Sequence, residues 1–172
     1  QNFPIGEEGY NERVWISTCI GVLYSEDGFY KENSITPLQV DQNAGSFADA
    51  QRQDVSVMAS QNIQAVSVYN TAGSLFPFNP RITLVIPKYW DDGTDRQPLS
   101  ACKFVSHTLL RSPKEDDLFF LIYGTQEYDS QAEAERAAPD YSIFLSQSDS
   151  SIYAVVRFVV GGSSTKIEAI QD

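Results

Sequence analysis

The sequence predicts an all-β fold, an antiparallel sandwich, jelly roll or barrel with one or two short helices. About eight to ten short segments rich in β-branched and aromatic residues are separated by turn signals, which is the pattern of such folds. Two segments, residues 118–124 and 151–160, are apolar almost throughout and predict strands buried on both faces. Residues 118–170 are therefore expected to supply the core sheet.

The chain is expected to consist of a short N-terminal arm followed by a single domain. Residues 1–12 carry two glycines, a proline and three acidic residues, so they predict an extended arm on the surface. Residues 13–24 predict one strand, the Asp-Gly pair at 27–28 a turn, and residues 29–31 the start of the return strand. The remainder, residues 13–172, is expected to form a single β-rich domain around one hydrophobic core.

Residues 46–69 fit two patterns. Residues 46–49 have the spacing of a capping box, and apolar residues further along are spaced as on a helix, which would make the fold α+β. Residues 54–57 and 65–69 instead alternate as strands do. A strand is the preferred interpretation because Val, Ser, Thr and Asn are indifferent helix formers.

The middle of the chain predicts two strands around a loop. Residues 70–74 predict a loop, and residues 75–80, with two prolines, predict an extended segment that leads into a strand at 81–86. Residues 88–98 predict a polar loop that carries two aromatic residues. Residues 101–111 alternate and predict the second strand.

One helix is expected in the last third of the chain. Residues 129–138 are rich in Ala and Glu, Ser130 and Glu133 have capping-box spacing, and a proline follows. The other elements predicted here are a charged connection at 112–117, a strand at 141–146 and a turn at 147–150.

Charge limits the partners. The chain has 23 acidic and 12 basic residues, a formal net charge of −11 at pH 7. Such a surface repels phosphates, so nucleic acid and anionic membranes are not expected partners. No apolar run reaches the length of about 18 residues that a spanning helix needs, so membrane insertion is not expected either. A protein or glycan surface is the expected partner, and a homo-oligomer is a further alternative.

Cys19 and Cys102 are the only cysteines, and both fall in apolar, alternating segments. A disulfide between them is the preferred interpretation, because an even number without a CxxC motif or a nearby histidine fits an oxidising compartment. The alternative is two buried thiols that act as small hydrophobic groups. The disulfide predicts a secreted protein, located outside the cell or on the surface of a cell or virion.

Few residues have catalytic potential. His107 is the only histidine, so a multi-histidine metal site is excluded and a catalytic triad would have to use this residue. Its mid-strand position favours an ordinary strand histidine. Walker, GxGxxG and GxSxG motifs do not occur in the sequence, and the acidic clusters lie mostly in turns. An enzyme is therefore less expected than a non-catalytic protein, and no catalytic residue is assigned.

The best candidate for a binding site is the loop that carries Tyr89, Trp90, Asp91, Asp92 and Asp95. An aromatic ring beside carboxylates fits a sugar, whose face stacks on the ring while its hydroxyls donate to the acids. The three aspartates are alternatively suited to Ca²⁺, although their spacing differs from that of an EF-hand. No other cofactor or metal is expected. A structural loop with a partly buried tryptophan is the third interpretation.

The preferred function is a non-catalytic extracellular module for recognition or assembly, such as an adhesin-like, surface or virion structural domain. It rests on the β-rich pattern, the predicted disulfide, the acidic composition and the lack of catalytic motifs. Three alternatives stay open: a small β-barrel that binds an apolar ligand, a glycan-active enzyme that uses a carboxylate pair, and an acidic inhibitor or immunity protein for a basic partner.

Overall fold

Strands dominate the described part of the chain. The computed structural model describes residues 2–7, 10–17, 21–27, 30–42, 45–48, 54–57, 63–111, 119–137 and 153–171, with side chains within 30–42, 63–75, 81–111, 119–137 and 156–171. Strands make up 53% of the structure and helix very little, which confirms the all-β prediction with a short helix. The finer assignment to a sandwich, jelly roll or barrel stays a prediction.

Fifteen strands and one helix are present in these ranges. In chain order they are β1 (Asn2–Glu7), β2 (Tyr10–Ser17), β3 (Gly21–Asp27), β4 (Tyr30–Glu32), β5 (Val40–Gln42), β6 (Gly45–Ala48), β7 (Asp54–Val57), β8 (Gln64–Thr71), β9 (Ser74–Thr83), β10 (Tyr89–Asp91), β11 (Arg96–Pro98), β12 (Phe104–Arg111), β13 (Phe119–Ile122), α1 (Gln131–Arg136), β14 (Tyr153–Gly161) and β15 (Ala169–Gln171). The elements predicted at 112–117, 141–146 and 147–150 lie outside the described residues.

An antiparallel sheet from the N-terminal third has the order β1-β2-β3-β6-β7. The segment predicted as an arm, residues 1–12, contains β1 and the start of β2, which pair with each other. The single strand predicted over residues 13–24 is wrong, because β2 and β3 form a hairpin with Val14 opposite Tyr24. Most residues here are β-branched or aromatic, so the strand-forming pattern did not reveal the reversal. The return strand predicted to begin at residues 29–31 does not pair with the preceding strand, because β4 pairs with β5 in a separate two-stranded sheet.

A second sheet has the order β15-β14-β12-β13-β8-β9. The apolar runs that predicted the core sheet supply β13 and β14, and these lie on either side of β12. The sheet is antiparallel except for one pairing, because β13 runs parallel to β8 with Phe120 opposite Val66. This parallel pairing places Tyr69 of β8 beside Tyr123, which follows β13.

Residues 46–69 are extended wherever they are described. They supply part of β6, all of β7 and most of β8, and each of these strands pairs with a neighbour. The strand interpretation is therefore confirmed, and the helical α+β alternative is wrong for these strands.

The predicted helix is confirmed as α1, Gln131–Arg136, inside the expected range 129–138. Ser130 is its N-cap, and the hydroxyl of this residue accepts a hydrogen bond of 3.2 Å from the backbone N–H of Glu133. Arg157 of β14 donates to two carbonyls at the C-terminal end of the helix and holds it against the sheet. Within the described part of the chain, no helix has the length and apolar character that crossing a bilayer requires.

The core of the second sheet is mainly apolar but includes a buried arginine. The apolar core residues come mainly from β12, β13 and β14 and from the segment after β9; the fully buried ones include Ile86, Val105, Leu109 and Phe158. Arg111 is 0% exposed, and its guanidinium lies 4.8 Å from the centroid of the Phe119 ring. It also donates a hydrogen bond of 3.5 Å to the hydroxyl of Tyr30. The aromatic face and the hydroxyl compensate part of the loss of hydration on burial.

Cys102 is exposed, whereas the sequence placed it in an apolar, alternating segment. It lies in the turn before β12, its side chain is exposed, and its φ of 63° is left-handed. The alternative in which both cysteines are buried hydrophobic groups is therefore wrong for Cys102. Its thiol has no disulfide partner among the described residues, and Cys19 lies outside them. The disulfide between the two residues stays a prediction.

Candidate functional site

The loop predicted over residues 88–98 is a short antiparallel hairpin, called the 89–98 hairpin below. It consists of β10 and β11, with Asp91 directly opposite Arg96. Its turn contains Gly93, whose φ of 93° lies in the region that glycine adopts without strain. The Asp-Gly pair in this turn is a known hairpin signal. All five residues predicted as a site therefore lie on one hairpin.

The buried carboxylate of Asp91 attaches this hairpin to β8. Asp91 is only 2% exposed. One of its oxygens accepts hydrogen bonds of 2.8 and 2.9 Å from the backbone and side-chain nitrogens of Asn70, and the other accepts one of 2.9 Å from the backbone N–H of Gly93. Hydrogen bonds to an ionised carboxylate are stronger than those between neutral groups, so this residue positions the turn.

Asp92 and Asp95 are exposed, and their carboxylates accept hydrogen bonds from backbone N–H groups of the turns. The Oδ1 atom of Asp92 accepts hydrogen bonds of 2.8 Å from the backbone N–H groups of Thr94 and Asp95. These two bonds lower the pKa of Asp92, and a weaker contribution comes from Gln97. Asp95 in turn accepts a hydrogen bond of 3.0 Å from the backbone N–H of Ala72, in the turn between β8 and β9.

The hydrogen bonds of the three aspartates bear on whether they could bind Ca²⁺. Each of the three aspartates already accepts backbone N–H donors of the protein: Asp91 from Asn70 and Gly93, Asp92 from Thr94 and Asp95, and Asp95 from Ala72. Across the described residues, no group of three or more His, Cys, Asp or Glu side chains could hold a metal ion. The geometry gives the aspartates a positioning role and offers no support for the calcium interpretation.

Four planar side chains form a continuous stack beside the hairpin, called the tyrosine–arginine stack. It comprises Tyr69, Tyr89, Arg96 and Tyr123. The Arg96 guanidinium carbon lies 4.8 Å from the ring centroid of Tyr69 and 4.7 Å from that of Tyr89. The rings of Tyr69 and Tyr123 are 4.8 Å apart. A cation between two aromatic faces is attracted to both, so Arg96 is held in place although its side chain is exposed.

The two aromatic residues of β10 face different surroundings. Tyr89 is 38% exposed and lies on the outer side of the stack. Trp90 is partly buried and packs against the hydrophobic core. The partly buried position of Trp90 agrees with the interpretation of a structural loop with a partly buried tryptophan. Tyr89 and Arg96 offer the accessible surface.

His107 lies beneath the stack and is fully buried. Its ring centroid is 5.2 Å from that of Tyr123. The Nδ1 atom accepts a hydrogen bond of 3.0 Å from the backbone N–H of Gly124, so Nε2 carries the proton and donates over 2.9 Å to the carbonyl of Pro87. Burial lowers the pKa of His107 to about 4, although the bond to Pro87 opposes the shift. The prediction of an ordinary strand histidine agrees with this fully bonded, neutral ring.

The buried state of His107 predicts a stability that depends on pH. The pKa is about 4 in the folded protein against 6.5 for an ordinary histidine, so between these values the unfolded chain binds the extra proton. The contribution of His107 is complete above pH 6.5, and about 3 kcal/mol of it is lost as the pH falls to 4. Urea unfolding of the wild type and of His107→Asn at several pH values measures this. An equal pH dependence in both proteins would contradict the assignment.

Sequence reasoning missed Arg96, Tyr69 and Tyr123. Arg96 joins the site because it lies across the hairpin from Asp91, and the Asp-Gly pair could have indicated this pairing. The two tyrosines meet only because β8 and β13 are parallel neighbours, for which the sequence carries no local signal.

No protein-family model, curated protein or solved structure matches this chain.

Proposed function

We propose that this protein is a non-catalytic extracellular module that recognises a protein or glycan surface through the 89–98 hairpin. The observation that carries the proposal is the tyrosine–arginine stack, with Tyr89 and Arg96 at the surface of a hairpin that buried and exposed carboxylates hold in shape. Tyr, Trp and Arg are the residues that most often dominate binding energies at interfaces. A contact surface that is already ordered loses little conformational entropy on binding.

The surroundings of the titratable groups support recognition over catalysis. His107 is neutral and both of its nitrogens are hydrogen-bonded within the protein. Asp91, Asp92 and Asp95 are engaged by N–H groups of the protein itself. Groups with these partners stabilise the surface, whereas a general acid or base needs access to a substrate proton.

The charge of the chain favours a partner that does not depend on phosphate contacts. The net charge is −11, and Arg96 is an exposed cation within this acidic surface. Arg96 hydrogen-bonds the Tyr123 side chain within the stack, and its remaining N–H groups suit carboxylate or hydroxyl acceptors, while Tyr89 offers a partly exposed ring and a hydroxyl. The predicted disulfide at Cys19 and Cys102 supports an extracellular setting, where such partners are abundant.

Screening the protein against immobilised glycans and extracellular proteins tests this proposal. The wild type is expected to bind at least one of them, and Tyr89→Ala and Arg96→Ala are each expected to weaken that binding by roughly tenfold or more. Ile35→Ala is the matched control, since this side chain is 87% exposed in the turn after β4.

Two results would count against the proposal. Binding that Arg96→Ala and Tyr89→Ala leave unchanged would place the contact surface elsewhere. Release of a cleaved product from a bound glycan would show that the protein is an enzyme, and loss of that turnover in a single Asp or Glu variant would identify its carboxylate.

A further inference from the structure

His107 joins the two backbone segments that support the 89–98 hairpin. The carbonyl of Pro87, which accepts its Nε2–H, lies two residues before β10. The N–H of Gly124 donates to Nδ1, and the carbonyl of the same Gly124 accepts a hydrogen bond of 2.8 Å from the backbone N–H of Asp91. One imidazole ring therefore fixes the entry to the hairpin and, through Gly124, the last residue of β10.

Protonation changes one of these contacts from attractive to repulsive. Neutral imidazole has one donor and one acceptor, whereas imidazolium has two donors. The Nε2–H bond to Pro87 survives protonation. At Nδ1 a new N–H would point at the N–H of Gly124, so that two donors face each other in a fully buried site. The ring and Gly124 cannot both keep their places.

We propose that His107 is an acid-sensitive latch, whose protonation displaces Gly124, breaks its bond to Asp91 and loosens the 89–98 hairpin. The proposal rests on the recognition function assigned to that hairpin and names its regulation: the protein binds its partner at neutral pH and releases it in acid. His107 acts through Gly124 and touches no partner, so it is a positioning residue.

Several titratable or charged groups lie on the elements packed around His107. The titratable and charged groups on the elements packed around His107 are Tyr123, whose ring contacts the imidazole, Lys88 after Pro87, Asp91 bonded to Gly124, Arg96 beyond Tyr123, and Arg157 beside the cross-strand partner Phe158. Tyr123 is a neutral phenol throughout the acid range, and burial raises its pKa further. Burial also lowers the pKa of His107 to about 4, which sets the pH at which the latch would open.

Nuclear magnetic resonance of the whole protein in dilute solution tests the latch without a partner. Since the chain has a single histidine, its imidazole carbon signal is unambiguous. The expected result is a titration of His107 near pH 4, accompanied at the same midpoint by at least tenfold faster amide exchange at Asp91. The amides of Val105 and Val160, paired in β12 and β14, are expected to stay protected.

Two variants separate the latch from general acid unfolding. His107→Asn keeps an acceptor near the Nδ1 position without a titrating group, so its hairpin is expected to stay closed down to pH 3.5. His107→Gln keeps a donor towards Pro87 and is also expected to lose the transition near pH 4. Simultaneous loss of protection at Asp91 and Val105 in the wild type would overturn the latch, and so would an unchanged acid transition in His107→Asn. If the hairpin opens as expected but variants of Tyr89 and Arg96 bind normally, the latch stands and the recognition function fails.

Discussion

Replacing Gly124 with alanine is expected to destabilise the protein by about 3 kcal/mol, because the added methyl group would enter the tightly packed space beside β12. The new Cβ would lie 2.5 Å from Cγ2 of Val105 and closer still to the carbonyl oxygen of Ser106. That oxygen belongs to the backbone of β12, which pairs with β14 along its whole length. The carbonyl cannot retreat without disturbing the centre of the sheet.

Gly73→Ala is the matched control for Gly124→Ala. Gly73 has a φ of 81° in the turn between β8 and β9, and no atom lies within 4 Å of the Cβ position. Only the left-handed backbone opposes this substitution, so a loss of about 1 kcal/mol is expected. Urea unfolding at neutral pH compares the two variants. Equal losses would show that Gly124 is not in the tight contact described.

The second large effect is expected for Asp91→Ala, with a loss of about 3 kcal/mol. Removing the carboxylate leaves the backbone N–H groups of Asn70 and Gly93 without their acceptor in a site that is 2% exposed to solvent. A loosened hairpin would also release Tyr89 and Arg96, so binding to the partner should fall together with stability.

Asp95→Ala controls for charge, because it removes a carboxylate from the same hairpin. Asp95 is exposed and accepts one hydrogen bond, from Ala72, so its loss should affect stability far less than that of Asp91. Thermal unfolding and binding are measured for both variants. A larger effect at Asp95 would contradict the view that the buried carboxylate holds the hairpin in place.

Local patterns predicted the elements whose signals lie within a few residues. The Ala and Glu content and the Ser130 cap predicted α1, and the apolar runs predicted β13 and β14, because helix caps and burial act over short stretches of chain. The segment at 13–24 was misjudged for a related reason. Its strand-forming residues span the end of β2 and the start of β3, so propensity alone could not reveal that the two are antiparallel partners.

The candidate site could be predicted only in part. Tyr89, Trp90 and the three aspartates stood out because aromatic and acidic residues are adjacent in the sequence. The tyrosine–arginine stack depends on the parallel pairing of β8 with β13, which is a tertiary contact between distant segments. The role of the aspartates also differs from expectation, because their oxygens bind the amides of the protein itself, and no pattern of residues distinguishes these acceptors from ligand-binding ones.

A hydrogen-exchange footprint of the protein, with and without the glycan or protein found by screening, tests the central claim most directly. If the 89–98 hairpin is the contact surface, bound partner should slow amide exchange in residues 89–98 and in the adjacent turn at 70–74. Exchange around Ile35, in the turn after β4, should not change. Protection confined to that turn or to other strands, with the hairpin exchanging at its free rate, would contradict the claim.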